Sequence, residues 1–186
     1  MPLYALRHGA TPTGGFRGRL DDELTAEGWA QMHAGLTDAP AWQAIVSSPL
    51  KRCRLFAEQL ASQLDLPLTL DEQLRELDFG QWEGRSASDL LADPAHADAL
   101  SRFWQDPYQH PPSGGENLHA FEQRVMDAWQ RHSQIAHQHT VLLVCHAGVI
   151  RQLLRLAKRE PRSALMQAMV EHGSLHAIPL FAPHSH

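Results

Sequence analysis

The sequence is short of the features that settle a function by themselves. It has two cysteines, Cys53 and Cys145, each inside an apolar segment, so a disulfide framework is not expected. No stretch reaches the roughly 20 apolar residues that a membrane-spanning helix needs. Residues 1–9 lack the positive start and long apolar run of a secretory signal, and a soluble, cytoplasmic protein is expected. Positive charge is not in excess: the formal net charge of −5 argues against a nucleic-acid coat or a membrane-surface patch. An anionic ligand must therefore be met by a local cluster of cations. There is no internal repeat, no low-complexity tract and no H-E-x-x-H. Thirteen histidines are many, but the closest pairs, His137 with His139 and His184 with His186, have no spaced cysteine or carboxylate ligands. No metal and no other cofactor is expected.

What remains is an ordinary globular composition, 43% hydrophobic and 20% charged over 186 residues, read as one domain over 1–186. "LYAL" (3–6) reads as a buried strand, followed by a glycine-rich polar loop through Asp22. Thr25 is placed to cap a helix over 24–36. "AIVSS" (44–48) reads as a second strand, and Pro49 opens a helix whose apolar residues recur at three- and four-residue intervals. "LPLTL" (66–70) is a third strand. The pattern loosens over 71–116, with a short helix from 86, and the stretch 78–115 is read as a lid or insertion. Residues 117–136 make an amphipathic helix capped by Asn117. "TVLLVCH" (140–146) reads as a strand buried on both faces, "AGVIRQLLRLA" as the helix behind it, and 174–180 as a last strand. Strands alternating with helices predict an α/β fold, a three-layer α/β/α sandwich on a mainly parallel sheet.

Such folds bind ligands at the carboxyl ends of their strands. Arg7 and His8 follow the first strand; Ser47, Ser48, Lys51 and Arg52 follow the second. His146, Ala147 and Gly148 follow the strongest strand, with a helix starting behind them. Two guanidiniums suit a phosphate dianion, because each planar fork can bond two of its oxygens. The helix start near Gly148 adds backbone N–H groups and a positive dipole end. A histidine there can attack phosphorus through a neutral ring nitrogen while the other nitrogen keeps its proton on an acceptor. A second, protonated histidine could steady the equatorial oxygens. The leaving alkoxide also needs an acid, and "LRELDFGQWEG" offers Glu76, Asp78 and Glu83, which spacing alone does not separate.

These residues resemble the histidine phosphatase superfamily, of phosphoglycerate-mutase-like fold. "LRHGAT" is similar to its R-H-G motif, "SSPLKRCRLFA" to its S-x-L-x-R-A helix, "LRELDFGQWEG" to its L-x-E-x-x-x-G-x-W-E-G segment and "VCHAGVIR" to its H-G motif. The resemblance runs from residue 3 to about 180. It implies that His8 is the nucleophile that becomes phosphohistidine, that Arg7, Arg52 and His146 bind the phosphoryl group, and that Glu76 is the proton donor. Thr11, Ala147 and Arg19 complete the substrate-binding set, and no metal is implied. Two positions depart from the pattern: Ala10 replaces a Glu or Gln, and Gly14 replaces an asparagine that touches phosphate. The loop "TGGFRGRLDDELTAEGWAQM" resembles the α-ribazole phosphatase branch, and puts Arg17 or Arg19 where either can replace the lost contact.

The implied partner is a small-molecule phosphate monoester, with no nucleic acid and no membrane; a homodimer is the natural assembly, since symmetric dimers are the commonest oligomers. The implied function is a metal-independent phosphomonoesterase, in the first place for α-ribazole-5′-phosphate. The alternatives are a broad-specificity phosphatase, a phosphoglycerate mutase, an inactive phosphate-binding module and a metal-dependent hydrolase. Ser48 is read as a helix cap, since no G-x-S-x-G surrounds it. Lys51 and Arg54 are read as solvated, Glu116 as a minor site candidate, His172 and His176 as structural. Trp29, Trp82, Trp104 and Trp129 are read as core or lid packing, with Phe79, Trp82, Phe103, Trp104 and Tyr108 suited to an aromatic leaving group.

Overall fold

The structure is a computed structural model and describes residues 3–182, which leaves the His184–His186 pair outside the described residues. Five strands form one sheet: β1 (Leu3–Arg7), β2 (Ala44–Ser47), β3 (Leu68–Leu70), β4 (Val141–Cys145) and β5 (Leu175–Ile178). Their order is β3-β2-β4-β1-β5, parallel throughout except for β5, which runs antiparallel to β1. Every residue of β4 is buried, as a central strand covered on both faces requires.

Alternate side chains of the strands feed two separate cores. Leu6, Ile45, Leu142 and Val144 point into one, where Met32 of α1 (Ala26–Gly35) and Phe56 and Leu60 of α2 (Lys51–Leu64) meet them. Leu3, Val46, Leu143 and Cys145 point into the other, with Phe121 and Val125 of α5 (Leu118–Ala136) and Ile150 and Leu153 of α6 (Ala147–Lys158). These are the three layers the sequence predicts. Among the described residues, no helix is long and apolar enough to cross a membrane.

The stretch 78–115 holds a 3₁₀ turn (Gly80–Trp82) and two helices, α3 (Ala87–Ala92) and α4 (Ala97–Gln105); the loosened sequence pattern had shown only the first helix. Ser86 caps α3 through its side chain, as its position before the apolar residues suggests. Trp82, Leu90, Leu100 and Phe103 join the same apolar cluster as the sheet. Trp104 differs from the packing read for it: it is 41% exposed.

The chain from β3 to the site is pinned to α5. Asp71 accepts from Nε2 of His132 at 2.6 Å, from Arg131 at 2.9 Å and from the Gln73 N–H at 2.9 Å. About two turns earlier on the same helix, Arg124 donates to the carbonyls of Gln73, Arg75 and Glu76. Burial works to raise the Asp71 carboxyl, but these hydrogen bonds outweigh it and hold it far below the usual carboxylate range. A folded-state value below the unfolded one means that this stabilisation is complete above about pH 4 and is lost as pH falls through the folded value. Asp71→Asn is expected to lower unfolding free energy at pH 7 by about 1–3 kcal/mol. In urea titrations, its deficit against wild type should shrink as pH is taken below about 3.

Candidate active site

Because β2, β4 and β1 are neighbours in register, their carboxyl ends finish level. Arg7 pairs with Cys145 and Ser47 with Val144. The ladder continues one residue beyond each strand, through His8 N–H to Cys145 O and Ser48 N–H to Val144 O. His8, Ser48 and His146 are therefore delivered to one place. The backbone after His8 is fixed by close contact with α1: a Cβ on Gly9 would lie 2.0 Å from the Gly28 carbonyl oxygen. Thr25, capping α1 as its sequence position indicates, donates to the Ala10 carbonyl from both its N–H and its hydroxyl.

His8 is 7% exposed and lines a cavity of about 400 Å³. Its Nδ1 donates to the Gly9 carbonyl at 2.8 Å, which leaves Nε2 as the nitrogen with the lone pair. Burial, aided by the charges of Arg52 and Arg7 and resisted by the Gly9 bond, pulls this imidazole well below the ordinary histidine range. It is a neutral ring with one fixed tautomer.

Two arginines face it. Arg7 donates to the Val170 carbonyl at 2.6 Å and to Nε2 of His172 at 3.2 Å. Arg52, wholly buried, donates to the carbonyls of Leu20, Arg17 and Gly18. In both, Nε is buried without an acceptor. An unpaired buried donor costs about 1–3 kcal/mol, and the two guanidiniums act on the His8 ring from close by, which suits the site to an anion.

His146 differs from its sequence reading in charge. It is wholly buried, its ring 5.2 Å from that of His8, and burial together with Arg52 and His8 drives it well below the ordinary range, so it is neutral rather than protonated. Its Nε2 lies 2.8 Å from the Ser48 hydroxyl. Ser48 thus serves this ring and also accepts from the Leu50 N–H at 3.4 Å just before α2; the cap position itself is Leu50, which has no side-chain cap. Neither Arg52 nor His146 is on the cavity wall, whereas Arg7, Thr11 and Ala147 are. Cys53 packs against His146 at 3.7 Å, and burial pushes its thiol up to about 12, which leaves it inert.

The three carboxylates that spacing left open are separated by their partners. Glu76 lines the cavity at 6% exposure and accepts from the Leu77 N–H and, across the chain, from the Gly148 N–H, each at 2.9 Å. The absence of a side chain at Gly148 makes this approach feasible, since a Cβ there would fall 2.3 Å from the Glu76 carboxylate. Glu83 instead gathers the N–H groups of Gly18, Arg19 and Phe79, and so ties the loop after β1 to the start of the stretch 78–115. Asp78 accepts from the Gly80 N–H and lies 3.6 Å from Arg19. Glu116 takes both oxygens of its carboxylate to Arg124 and is structural.

Arg19 is not where the substrate-binding reading puts it: its guanidinium turns to Asp78, half exposed and away from the cavity wall. Arg17 does line the cavity, but it bonds Asp22 and Thr13 and serves to close its own loop. The sequence also missed His172 and Arg151, which line the cavity, and the apolar wall formed by Phe16, Leu118, Phe121 and Met166 beside Phe79 and Phe103. Trp82 and Tyr108 are buried elsewhere and do not reach it. His176 stays structural, with its Nε2 2.8 Å from the Ser174 hydroxyl. Among the described residues, no group of three or more His, Cys, Asp or Glu is arranged to hold a metal.

Residues 3–182 match the family described as histidine phosphatase superfamily (branch 1). The adenosylcobalamin/alpha-ribazole phosphatase of Escherichia coli (strain K12) is 31% identical over 187 aligned residues, 97% of this chain and 90% of that protein. The crystal structure of the alpha-ribazole phosphatase from Shigella flexneri superposes with a TM-score of 0.81 at 31% identity, covering 96% of this chain and 90% of that one. A mycobacterial glucosyl-3-phosphoglycerate phosphatase gives 0.75 at 27% identity, covering 88% and 82%. At pH 6.5, ¹⁵N-detected imidazole spectra should show His8 neutral with the proton on Nδ1. A His8 already half protonated at that pH contradicts the burial argument.

Proposed function

The chain belongs to the histidine phosphatase superfamily, and we propose that His8 is its nucleophile, Glu76 its proton donor and a phosphate monoester of an aromatic nucleoside its substrate. The chain is a phosphatase by its family; the residue roles and the substrate rest on the reading that follows. One observation carries it: His8, neutral and with Nε2 free of its Gly9 bond, lines one cavity with Arg7 and the Glu76 carboxylate, and the buried Arg52 lies close enough behind the wall for its charge to act on the ring.

The chemistry then balances. The lone pair on His8 Nε2 attacks phosphorus and the ester P–O bond breaks. A protonated Glu76 gives its proton to the departing alkoxide. Arg7 supplies N–H donors from its terminal nitrogens to the equatorial oxygens, and Arg52, held behind the cavity wall by the carbonyls of residues 17, 18 and 20, adds its positive charge. His146, neutral and oriented by Ser48, donates or accepts a hydrogen bond but adds no charge. Water, deprotonated by the Glu76 carboxylate, next attacks phosphorus; the P–N bond breaks and its electrons return to Nε2. Arg7 and Arg151 on the cavity wall and Arg52 behind it outnumber the Glu76 carboxylate and repel a divalent metal, and turnover should be unchanged in chelator.

The substrate reading is supported by the wall of Phe16, Phe79, Phe103 and Phe121, in which the Phe16 and Phe79 rings stand 5.1 Å apart. The lid, through Phe79 and Phe103, reads the leaving group. Such a wall favours a flat aromatic base over a small acid, and relatives of this chain act on α-ribazole phosphate by name. In chelator, kcat/KM for α-ribazole-5′-phosphate should exceed that for 3-phosphoglycerate and a simple aryl phosphate by at least a hundredfold, about 2.7 kcal/mol of discrimination. Comparable rates on all three would overturn the α-ribazole assignment. Gly148→Ala, by displacing the Glu76 carboxylate, should lower kcat by roughly 10²–10⁴ with the fold intact by circular dichroism.

A further inference from the structure

Arg7 ends β1, yet what fixes its guanidinium comes from the far end of the chain. Pairing with β5 continues past the strand: the Arg7 N–H donates to Ser174 O, and the Gly173 N–H donates to Arg7 O. This backbone register sets His172 on the cavity wall, its ring 5.8 Å from that of His8. There Nε2 of His172 meets Nη2 of Arg7 at 3.2 Å, while Nη1 is taken by Val170 O at 2.6 Å. A guanidinium only donates, so His172 Nε2 accepts and the ring carries its proton on Nδ1. Burial and the charge of Arg7, resisted by Glu27, lower the tendency of His172 to protonate and keep that acceptor in place near neutrality.

We infer that His172 is a positioning residue: its Nε2, with the Val170 carbonyl, holds both terminal nitrogens of Arg7 and so fixes the rotation of the guanidinium, leaving the second N–H of the accessible Nη2 to face the phosphoryl group. The inference rests on the reading of Arg7 as a phosphoryl ligand. An arginine left to rotate must be ordered by each incoming phosphate, whereas one held at both terminal nitrogens is ordered beforehand. The sequence offers no sign of this, because 165 positions separate the pair.

The test compares His172→Phe, which keeps a ring beside His8 but offers no acceptor, with His172→Gln, whose amide oxygen can still accept. KM, kcat, the inhibition constant of inorganic phosphate and the Tm are measured for both, alongside Arg7→Ala. His172→Phe should raise KM and the phosphate inhibition constant about tenfold, the weight of one hydrogen bond to a charged group. His172→Gln should stay within about threefold of wild type. His172→Ala carries the same expectation as His172→Phe, so a folding defect peculiar to the phenylalanine does not hide the result. The inference is overturned if His172→Phe or His172→Ala lowers kcat alone, or if both leave the phosphate inhibition constant unchanged while Arg7→Ala weakens it. If Arg7→Ala itself leaves phosphate binding and kcat/KM intact, the reading of Arg7 falls first and this inference with it.

Discussion

The structure depends above all on the parallel pairing of three neighbouring strands whose carboxyl ends finish level. β2, β4 and β1 bring Ser48, His146 and His8 to one edge because the ladder between them runs one residue past each strand. A register slip of a single residue would turn these side chains to the opposite face and empty the site. The two cores serve this pairing: each strand feeds both layers of helices, so the sheet cannot slide without breaking either. The Gly9–Gly28 contact extends the same constraint to the loop, by holding the turn after His8 against the first turn of α1.

Onto that edge the fold places groups that burial makes uncomfortable. Two arginines lie deep with Nε unpaired, and two histidines are kept neutral by desolvation and by the same arginines. Positive charge at the edge thus resides in the guanidiniums, which hold it at any physiological pH, while the imidazoles are left neutral, as the proposed nucleophile and its hydrogen-bonding neighbour require. The carboxylate of Glu76 is the single acid brought into this surrounding, tied on one side to the helix start at Gly148 and on the other to α5 through Arg124. Arg7 and His8 are held by β1, Arg52 by α2 and the Glu76 carboxylate by the start of α6, so the fold rather than any one loop sets their geometry.

The elements were legible because their patterns are local. β4 is an unbroken apolar run, Thr25 and Asn117 stand at the ends of periodic stretches and cap them, and Arg7, His8, Arg52 and His146 follow strand ends. What was not legible depends on contacts distant in sequence. Glu76 and Glu83 look alike along the chain; only their N–H partners, at Gly148 for one and at Gly18 and Arg19 for the other, give them different tasks. His172 looked structural because its neighbour Arg7 joins it only through β5. The charge of His146 could not be read, since burial beside Arg52 decides it, nor could the choice of Arg17 over Arg19 for the cavity wall. Phe16 and Phe121 are separated by more than half of the chain and share a cavity wall only once the loop after β1 is folded against α5.

The central claim is that phosphate passes through Nε2 of His8, and trapping the intermediate tests it most directly. The enzyme is mixed with a phosphate monoester labelled with ³²P, quenched in alkali within the first turnover, digested and mapped by mass spectrometry. The account predicts an alkali-stable, acid-labile phosphate on the peptide that carries His8, and on no other. Label on a carboxylate or a thiol, or burst kinetics with His8 unlabelled, would contradict it.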